Sequence, residues 1–195
     1  MYLCESAGYN EHQHFRHSVK LVLNKLLFGI LWHCHLQIEK YYGENSLDMA
    51  ETYNNIGGIY MKLDDEDYEK ALVYCEKGLK SKVEILGEVN QKVAMSYMNR
   101  GILHYYRNEY EQAINDCKRA VSIYQAIKSE RCEYVAMCKD RIGMALYRLG
   151  KKHEGDVYFN DSLSLRQSLY SEGDERIRNG IMLKWLVEHT VPKTD

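Results

Sequence analysis

The chain has 195 residues, of which 45% are hydrophobic and 28% are charged, proportions typical of an ordinary globular protein rather than a disordered one. Its net charge of −2 supplies no excess of positive charge, so the composition argues against nucleic acid as a partner. The one proline, Pro192, suits a chain that is helical almost throughout, because proline breaks helix interiors.

The first 45 residues carry the weakest pattern. Residues 1–16 show no sustained hydrophobic period, and we predict a poorly ordered leader there. Residues 17–45 predict a degenerate N-terminal helical repeat; an anchor and an unrelated helix are the alternatives for residues 18–32. The uninterrupted apolar run 26–32 is much shorter than the about 20 residues that cross a bilayer, so we predict no membrane span.

Cysteine and histidine positions bear on compartment and metal binding. The six cysteines include no Cys-x-x-Cys pair and no secretory signal is evident, so we expect reduced thiols in a cytoplasmic protein. The histidines between residues 12 and 35 include His-x-His pairs, but further ligands for a tetrahedral site do not accompany them. We predict no metal and no cofactor.

From residue 46 onward the chain repeats itself. Three glycines and three alanines recur at intervals of 44 and then 42 residues: Gly57, Gly101 and Gly143, and Ala50, Ala94 and Ala136. This period is typical of a helical solenoid, in which each helix pair buries its apolar faces against its neighbours. We predict an all-α fold, an alpha-alpha superhelix of antiparallel helix pairs, with repeats at 46–88, 89–130 and 131–172.

Each repeat divides into two helices. Small residues in the first helix allow a neighbouring helix to approach closely, despite glycine's cost of about 1 kcal/mol in a helix interior. The second helices are predicted at about 67–86, 109–128 and 152–170, where apolar residues recur at i, i+1, i+4 and i+7. Gly150 is placed to end a first helix in the left-handed conformation.

Residues 173–190 predict one more helix, which resembles the start of a further repeat with Gly180 in the place of the repeat glycine. No second helix is predicted after it. We therefore interpret 173–190 as a C-terminal capping helix, followed by the tail 191–195, because a solenoid needs a terminal face that does not aggregate.

The repeat resembles the tetratricopeptide repeat over about residues 36–170. The family pattern W-x₂-L-G-x₂-Y…A-x₃-F appears in the first repeat as Tyr53, Ile56, Gly57, Tyr60, Ala71 and Cys75. The longer period and the sequences at 43–57 and 86–94 resemble those of the kinesin light chain-like class of these repeats. The resemblance implies a right-handed superhelix that acts as a non-catalytic protein-interaction module, with a partner's peptide or helical segment bound in its concave groove.

The resemblance also places the residue two before each repeat glycine in that groove. With its neighbours this gives a predicted partner-binding set: Asn54, Asn55, Met95, Met98, Asn99, Ile102, Tyr105, Met137, Asp140, Arg141, Met144 and Tyr147. Asparagine amides can pair with a peptide backbone, and Arg141 can form two bonds to a carboxylate. Methionines can form an adaptable apolar floor, although methionine at helical spacing is more often part of a core.

The residues support a chaperone-binding clamp or an enzyme active site less well than a general protein-interaction groove. Chaperone-binding members of the family clamp a terminal carboxylate; Asn99 and Arg141 fit that pattern, but Asn54, Gly58 and Met137 depart from it. No nucleophile elbow, HExxH motif or phosphate loop occurs, so we predict no enzyme activity. The alternatives to groove binding are a structural scaffold that self-associates through exposed repeat ends, and a regulatory repeat segment of a motor adaptor or enzyme.

Overall fold

The computed structural model describes residues 46–61, 67–127 and 132–190, with single positions and pairs between residues 22 and 40. Seven helices fill the three continuous ranges: α1 Leu47–Tyr60, α2 Tyr68–Leu86, α3 Gln91–Tyr106, α4 Tyr110–Ala126, α5 Glu133–Arg148, α6 Lys152–Leu169 and α7 Glu175–Thr190. The described residues contain no strand, and the predicted all-α fold is confirmed. The predictions for residues 1–16 and 191–195 lie outside the described residues.

The helices begin at the period that the glycines predict. The first helices of the pairs, α1, α3, α5 and α7, start at residues 47, 91, 133 and 175, which are 44, 42 and 42 residues apart. The second helices α2, α4 and α6 start at residues 68, 110 and 152, at intervals of 42. Their observed bounds agree with the predicted ones to within two residues.

Local residues set the helix ends. Ser46 and Asn90 cap α1 and α3, because their side-chain oxygens accept backbone N–H bonds of 3.2 and 2.8 Å from the first turn. Gly150 follows α5 with a φ of 78°, which confirms its predicted left-handed conformation. After α3 the same role falls to Asn108, with a φ of 62°; asparagine tolerates this region better than most residues.

The chain divides into two compact units, residues 1–78 and 79–195. In the second unit α3 to α7 each pack against the next helix in the chain. In addition α3 contacts α5, and α5 contacts α7, whereas α4 and α6 share no comparable contact among the described helices. The first helices of the pairs therefore form one layer and the second helices another, as the resemblance to a repeat solenoid implies.

The core of the second unit lies between these layers. Its completely buried large side chains come from α3, α4 and α5 and include Val93, Tyr124 and Ile142. Cys117 is buried here, and Cys75 is buried in the first unit. The four cysteines that the structure describes are thiols.

The repeat glycines are points of close approach between the helices of a pair. A Cβ at Gly57 would lie 3.0 Å from the carbonyl oxygen of Ala71, which cannot move without its helix. At Gly101 and Gly143 a Cβ would lie 2.9 and 3.0 Å from the nearest side-chain atoms of α4 and α6. The predicted reason for these glycines is therefore confirmed.

We expect two neighbouring substitutions in α1, Gly57→Ala and Gly58→Ala, to change stability in opposite directions. Gly57→Ala sets a methyl group against Ala71 and should lower the free energy of unfolding by about 1–3 kcal/mol. Gly58 has no described atom within 4 Å of its Cβ position, so Gly58→Ala should raise that free energy by about 0.5–1 kcal/mol. Urea denaturation followed by circular dichroism measures both; equal effects would contradict the close approach at Gly57.

The register of α7 corrects one prediction. Because α7 begins 42 residues after α5, Gly180 is equivalent to Cys138 and Ser96 and not to the repeat glycine. All three of these positions hold small, buried residues. In α7 Trp185 occupies the position of the repeat glycine. The prediction that Gly180 holds this position is therefore wrong, because the helix starts give a different register.

Candidate partner-binding groove

The candidate site is a stripe of partly buried side chains on α3 and α5, two helices in contact. Each helix contributes residues at i, i+4 and i+7: Met95, Asn99 and Ile102 from α3, and Met137, Arg141 and Met144 from α5. This spacing sets each group of three on one face of its helix. We call these six residues the stripe; all six belong to the predicted partner-binding set.

The apolar members of the stripe rest on the core. Ile102 and Met137 pack against the main core cluster of the second unit. Met144 packs against a smaller cluster of Tyr147, Phe159 and Val187. These side chains remain partly exposed, so the stripe has a supported apolar floor that a ligand can reach.

Two arginines on α5 give the stripe its charge. Arg141 and Arg148 are seven residues apart and therefore share one face of the helix. Arg141 Nη1 lies 3.5 Å from the sulfur of Met144, and Arg148 Nε donates a 2.9 Å hydrogen bond to the hydroxyl of Tyr110. Among the described residues, neither guanidinium has a carboxylate within the 4.0 Å of an ion pair.

The carboxylates near the stripe are paired elsewhere. Arg100 binds Asp116 through two bonds of 2.7 Å. Helix α3 has no acidic residue, and the two acidic residues of α5, Glu133 and Asp140, both bind Arg166 at 2.9 and 2.7 Å. The positive charge of Arg141 and Arg148 is therefore not neutralised within the described part of the chain.

Tyr105 lies close to both of these arginines. Its ring meets the ring of Tyr110 edge-on at a centroid distance of 5.6 Å and packs against the core. Burial raises the pKa of Tyr105, and the charges of Arg148 and Arg141 partly oppose this increase. The hydroxyl is therefore protonated at neutral pH and can donate a hydrogen bond to a bound ligand.

Three predicted groove residues are buried, which removes them from the partner-binding set. Met98 and Tyr147 are 5% and 4% exposed, and the Tyr147 hydroxyl donates to Asp156 at 2.6 Å. Asp140 is 5% exposed. Each of the three directly precedes an exposed or partly exposed residue on the stripe's face, and one residue turns a helix by about 100°, which carries these side chains into the interior.

Asp140 belongs to a buried polar network that joins α5 to α6. Its carboxylate accepts a 2.7 Å bond from Arg166 and a 2.5 Å bond from the hydroxyl of Ser162. Arg166 also donates to Ser162 at 2.8 Å and to Glu133 at 2.9 Å. The role of Asp140 is therefore to hold two helices together.

Sequence reasoning missed two residues, Tyr106 and Arg148, which extend the stripe by about one turn on each helix. They follow the asparagine and the arginine of the stripe by seven residues, and both are exposed. The prediction instead chose Tyr105, which is half-buried, and Tyr147, which is buried. Continuing the i, i+4, i+7 spacing along each helix would have found the exposed pair.

The two asparagines predicted on α1 belong to the first unit. Asn55 is exposed, and Asn54 is partly buried. The Asn54 side-chain oxygen would lie 2.6 Å from a Cβ at Gly78, so this side chain packs against α2. A surface shared by these asparagines and the stripe stays a prediction.

Metal-binding clusters and membrane-spanning helices are absent from the described residues. Within them, no group of three or more histidine, cysteine, aspartate or glutamate side chains could hold a metal ion. No helix of the described ranges has the length and apolar character needed to cross a bilayer.

Comparison with known proteins finds a family profile that matches part of the chain. The tetratricopeptide repeat family profile matches residues 48–126. No curated protein matches the chain at the level of sequence. Tetratricopeptide repeats generally mediate protein–protein interactions, and proteins of this family are generally non-catalytic.

Several solved structures share the fold. The nearly identical TPR-like repeats of a candidate kinesin light chain from Podosopora anserina align with a TM-score of 0.70 and 8% identity, covering 91% of this chain and 84% of that one. BtubC (BKLC) from P. vanneervenii aligns with a TM-score of 0.64 and 17% identity, covering 91% and 82%. The N-terminal domain of stress-induced protein-1 from C. elegans aligns with a TM-score of 0.52 and 19% identity, covering 71% and 96%.

These structural alignments show a fold that this chain shares with kinesin light chain-like repeats. The tetratricopeptide repeat profile matches the residues of two of the predicted repeats. The predicted resemblance to tetratricopeptide repeat proteins, including kinesin light chain-like repeats, is confirmed.

Proposed function

We propose that the chain is a non-catalytic interaction module of the cytoplasm that binds an acidic segment of a partner protein along the stripe. The observation that carries this proposal is the pair Arg141 and Arg148, whose guanidinium groups meet no carboxylate of the described residues. A guanidinium binds a carboxylate through two parallel hydrogen bonds. Aspartate, glutamate or a terminal carboxylate of the partner supplies the missing counter-charge.

The spacing of the two arginines suggests the form of the segment. Seven helical residues rise about 10 Å, which is about three residues of an extended peptide in the polyproline II conformation, where side chains three residues apart share one face. Met144 lies between the arginines on the same face and offers an apolar contact. The proposal is therefore an extended segment with two acidic residues about three positions apart and an apolar residue between them.

The cytoplasmic location is part of the proposal and rests on cysteine chemistry. Cys75, Cys117, Cys132 and Cys138 are thiols. Thiols in such number are typical of proteins from reducing compartments, whereas secreted proteins usually form disulfides.

A peptide array tests the proposal. The array carries pairs of peptides with glutamate or glutamine at the same two positions, three residues apart, within varied apolar flanks. We expect the chain to bind glutamate members and to lose about 10-fold or more in affinity with Arg141→Ala, because a hydrogen bond to a charged group contributes about 1.5–3 kcal/mol. Lys118→Ala, at an exposed position of α4, is the matched control. Equal binding of glutamate and glutamine members, or no binding to glutamate members, would overturn the proposal.

A further inference from the structure

Helix α7 exposes an apolar face that no other described helix covers, and the ring of its Trp185 stacks on His189 of the same helix at 4.4 Å. Ile181, Met182, Trp185 and Leu186 are 52%, 62%, 55% and 43% exposed. The first three of these line an open depression together with Arg178. Exposed apolar groups of this size on one face are typical of interaction surfaces.

The repeat register shows how this face differs from its equivalents. In α1, α3 and α5 the positions equivalent to Arg178 and Trp185 hold the buried repeat alanines and glycines. The glycines lie in close contact with the second helix of their own pair. In α7 the equivalent side chains, Arg178 and Trp185, are large and exposed, so another helix cannot approach this face as closely as in the other pairs.

We propose that this face is a self-association surface, on which a second copy of the chain packs its own α7 in the antiparallel direction. The residues at 178, 181, 185 and 188 are spaced by three and four and share one face of the helix. A two-fold axis at the level of residue 183 sets Ile181 against Trp185 of the second copy. The same axis sets Arg178 against Glu188 of the second copy, and each contact occurs twice.

The charges on the face favour this arrangement. Arg178 is exposed and has no carboxylate within the distance of an ion pair among the described residues. Glu188 forms an ion pair with Lys184 at 3.7 Å, and because this distance is too long for a hydrogen bond the carboxylate can still accept one from a second copy. A parallel arrangement would instead bring Arg178 against its own counterpart, which is repulsive.

The size of the face sets the expected strength of association. A standard interface buries about 800 Å² on each partner, which is more than one face of a helix of this length provides. We therefore expect a reversible dimer that dissociates on dilution. The proposal does not depend on the stripe, because none of its residues belongs to the stripe.

Sedimentation velocity of the full chain over a dilution series tests the dimer. We expect Arg178→Glu and Glu188→Arg each to weaken dimerisation at least 10-fold, because like charges then meet across the axis. The double variant Arg178→Glu/Glu188→Arg should restore dimerisation, since the charges are again opposite. Asn179→Glu, an exposed position on another side of α7, is the control and should leave dimerisation unchanged.

Three outcomes would overturn this proposal. The first is a wild-type chain that stays monomeric over the whole series, which would leave the face to a different partner. The second is an assembly larger than a dimer, because a two-fold contact closes on itself. The third is a double variant that dimerises no more tightly than either single variant. Circular dichroism of the single variants shows whether they are folded, which separates misfolding from charge repulsion.

Discussion

Replacing Arg166 with methionine is expected to lower the free energy of unfolding by about 3–5 kcal/mol. The substitution removes the 2.7 Å partner of the Asp140 carboxylate, whose side chain is 6% exposed. A buried carboxylate without a partner is strongly unfavourable, because water no longer solvates it and no cation compensates its charge. Urea denaturation measures the loss.

Two further variants separate charge pairing from packing in this network. Arg119 pairs with Glu88 at the surface, so Arg119→Met should cost less than about 1 kcal/mol. The double variant Arg166→Met/Asp140→Leu should be more stable than Arg166→Met alone, because it also removes the unpaired charge. If the double variant were as unstable as Arg166→Met, the buried charge would not be the cause.

Reversing the charge of the stripe is expected to invert its preference among peptides. In Arg141→Glu/Arg148→Glu, two attractions to an acidic peptide become repulsions. At an effective dielectric constant of 20, each interaction amounts to about 4 kcal/mol at 4 Å, so we expect at least a 100-fold loss of affinity for glutamate peptides at low salt. Lysine counterparts of the same peptides should then bind more tightly than the glutamate peptides do.

Fluorescence anisotropy at low and physiological salt measures this inversion, which salt should reduce. Neither arginine is paired with a carboxylate of the described residues, so the reversal should leave the circular dichroism unchanged. Weaker binding of acidic and basic peptides alike would contradict the proposed role of the two arginines.

The fold was predictable because its signals lie in small residues at a fixed period. Gly57, Gly101 and Gly143 are required by the close approach of a second helix, and no larger residue fits there without a shift. Such a steric requirement is visible in a single sequence, because it recurs in each repeat. The bounds of α2, α4 and α6 followed from the same period.

The stripe was less predictable, because it depends on helical phase to within one residue. Met98 and Asp140 are adjacent to true members of the stripe, yet one step of about 100° buries them. Asp140 pairs with Arg166, which is 26 residues away in the sequence, and no local sequence pattern predicts this pair. In α7 the identity of Gly180 suggested one register, and the start of the helix required another.

Methyl NMR of the chain labelled at methionine, titrated with a glutamate peptide from the array, tests whether the stripe is the binding surface. Met95, Met137 and Met144 report on the stripe, and Met182 reports on the exposed face of α7. We predict that the three stripe resonances shift in proportion to bound peptide while that of Met182 stays in place. A shift of Met182 with no change at the three stripe methionines would contradict the account.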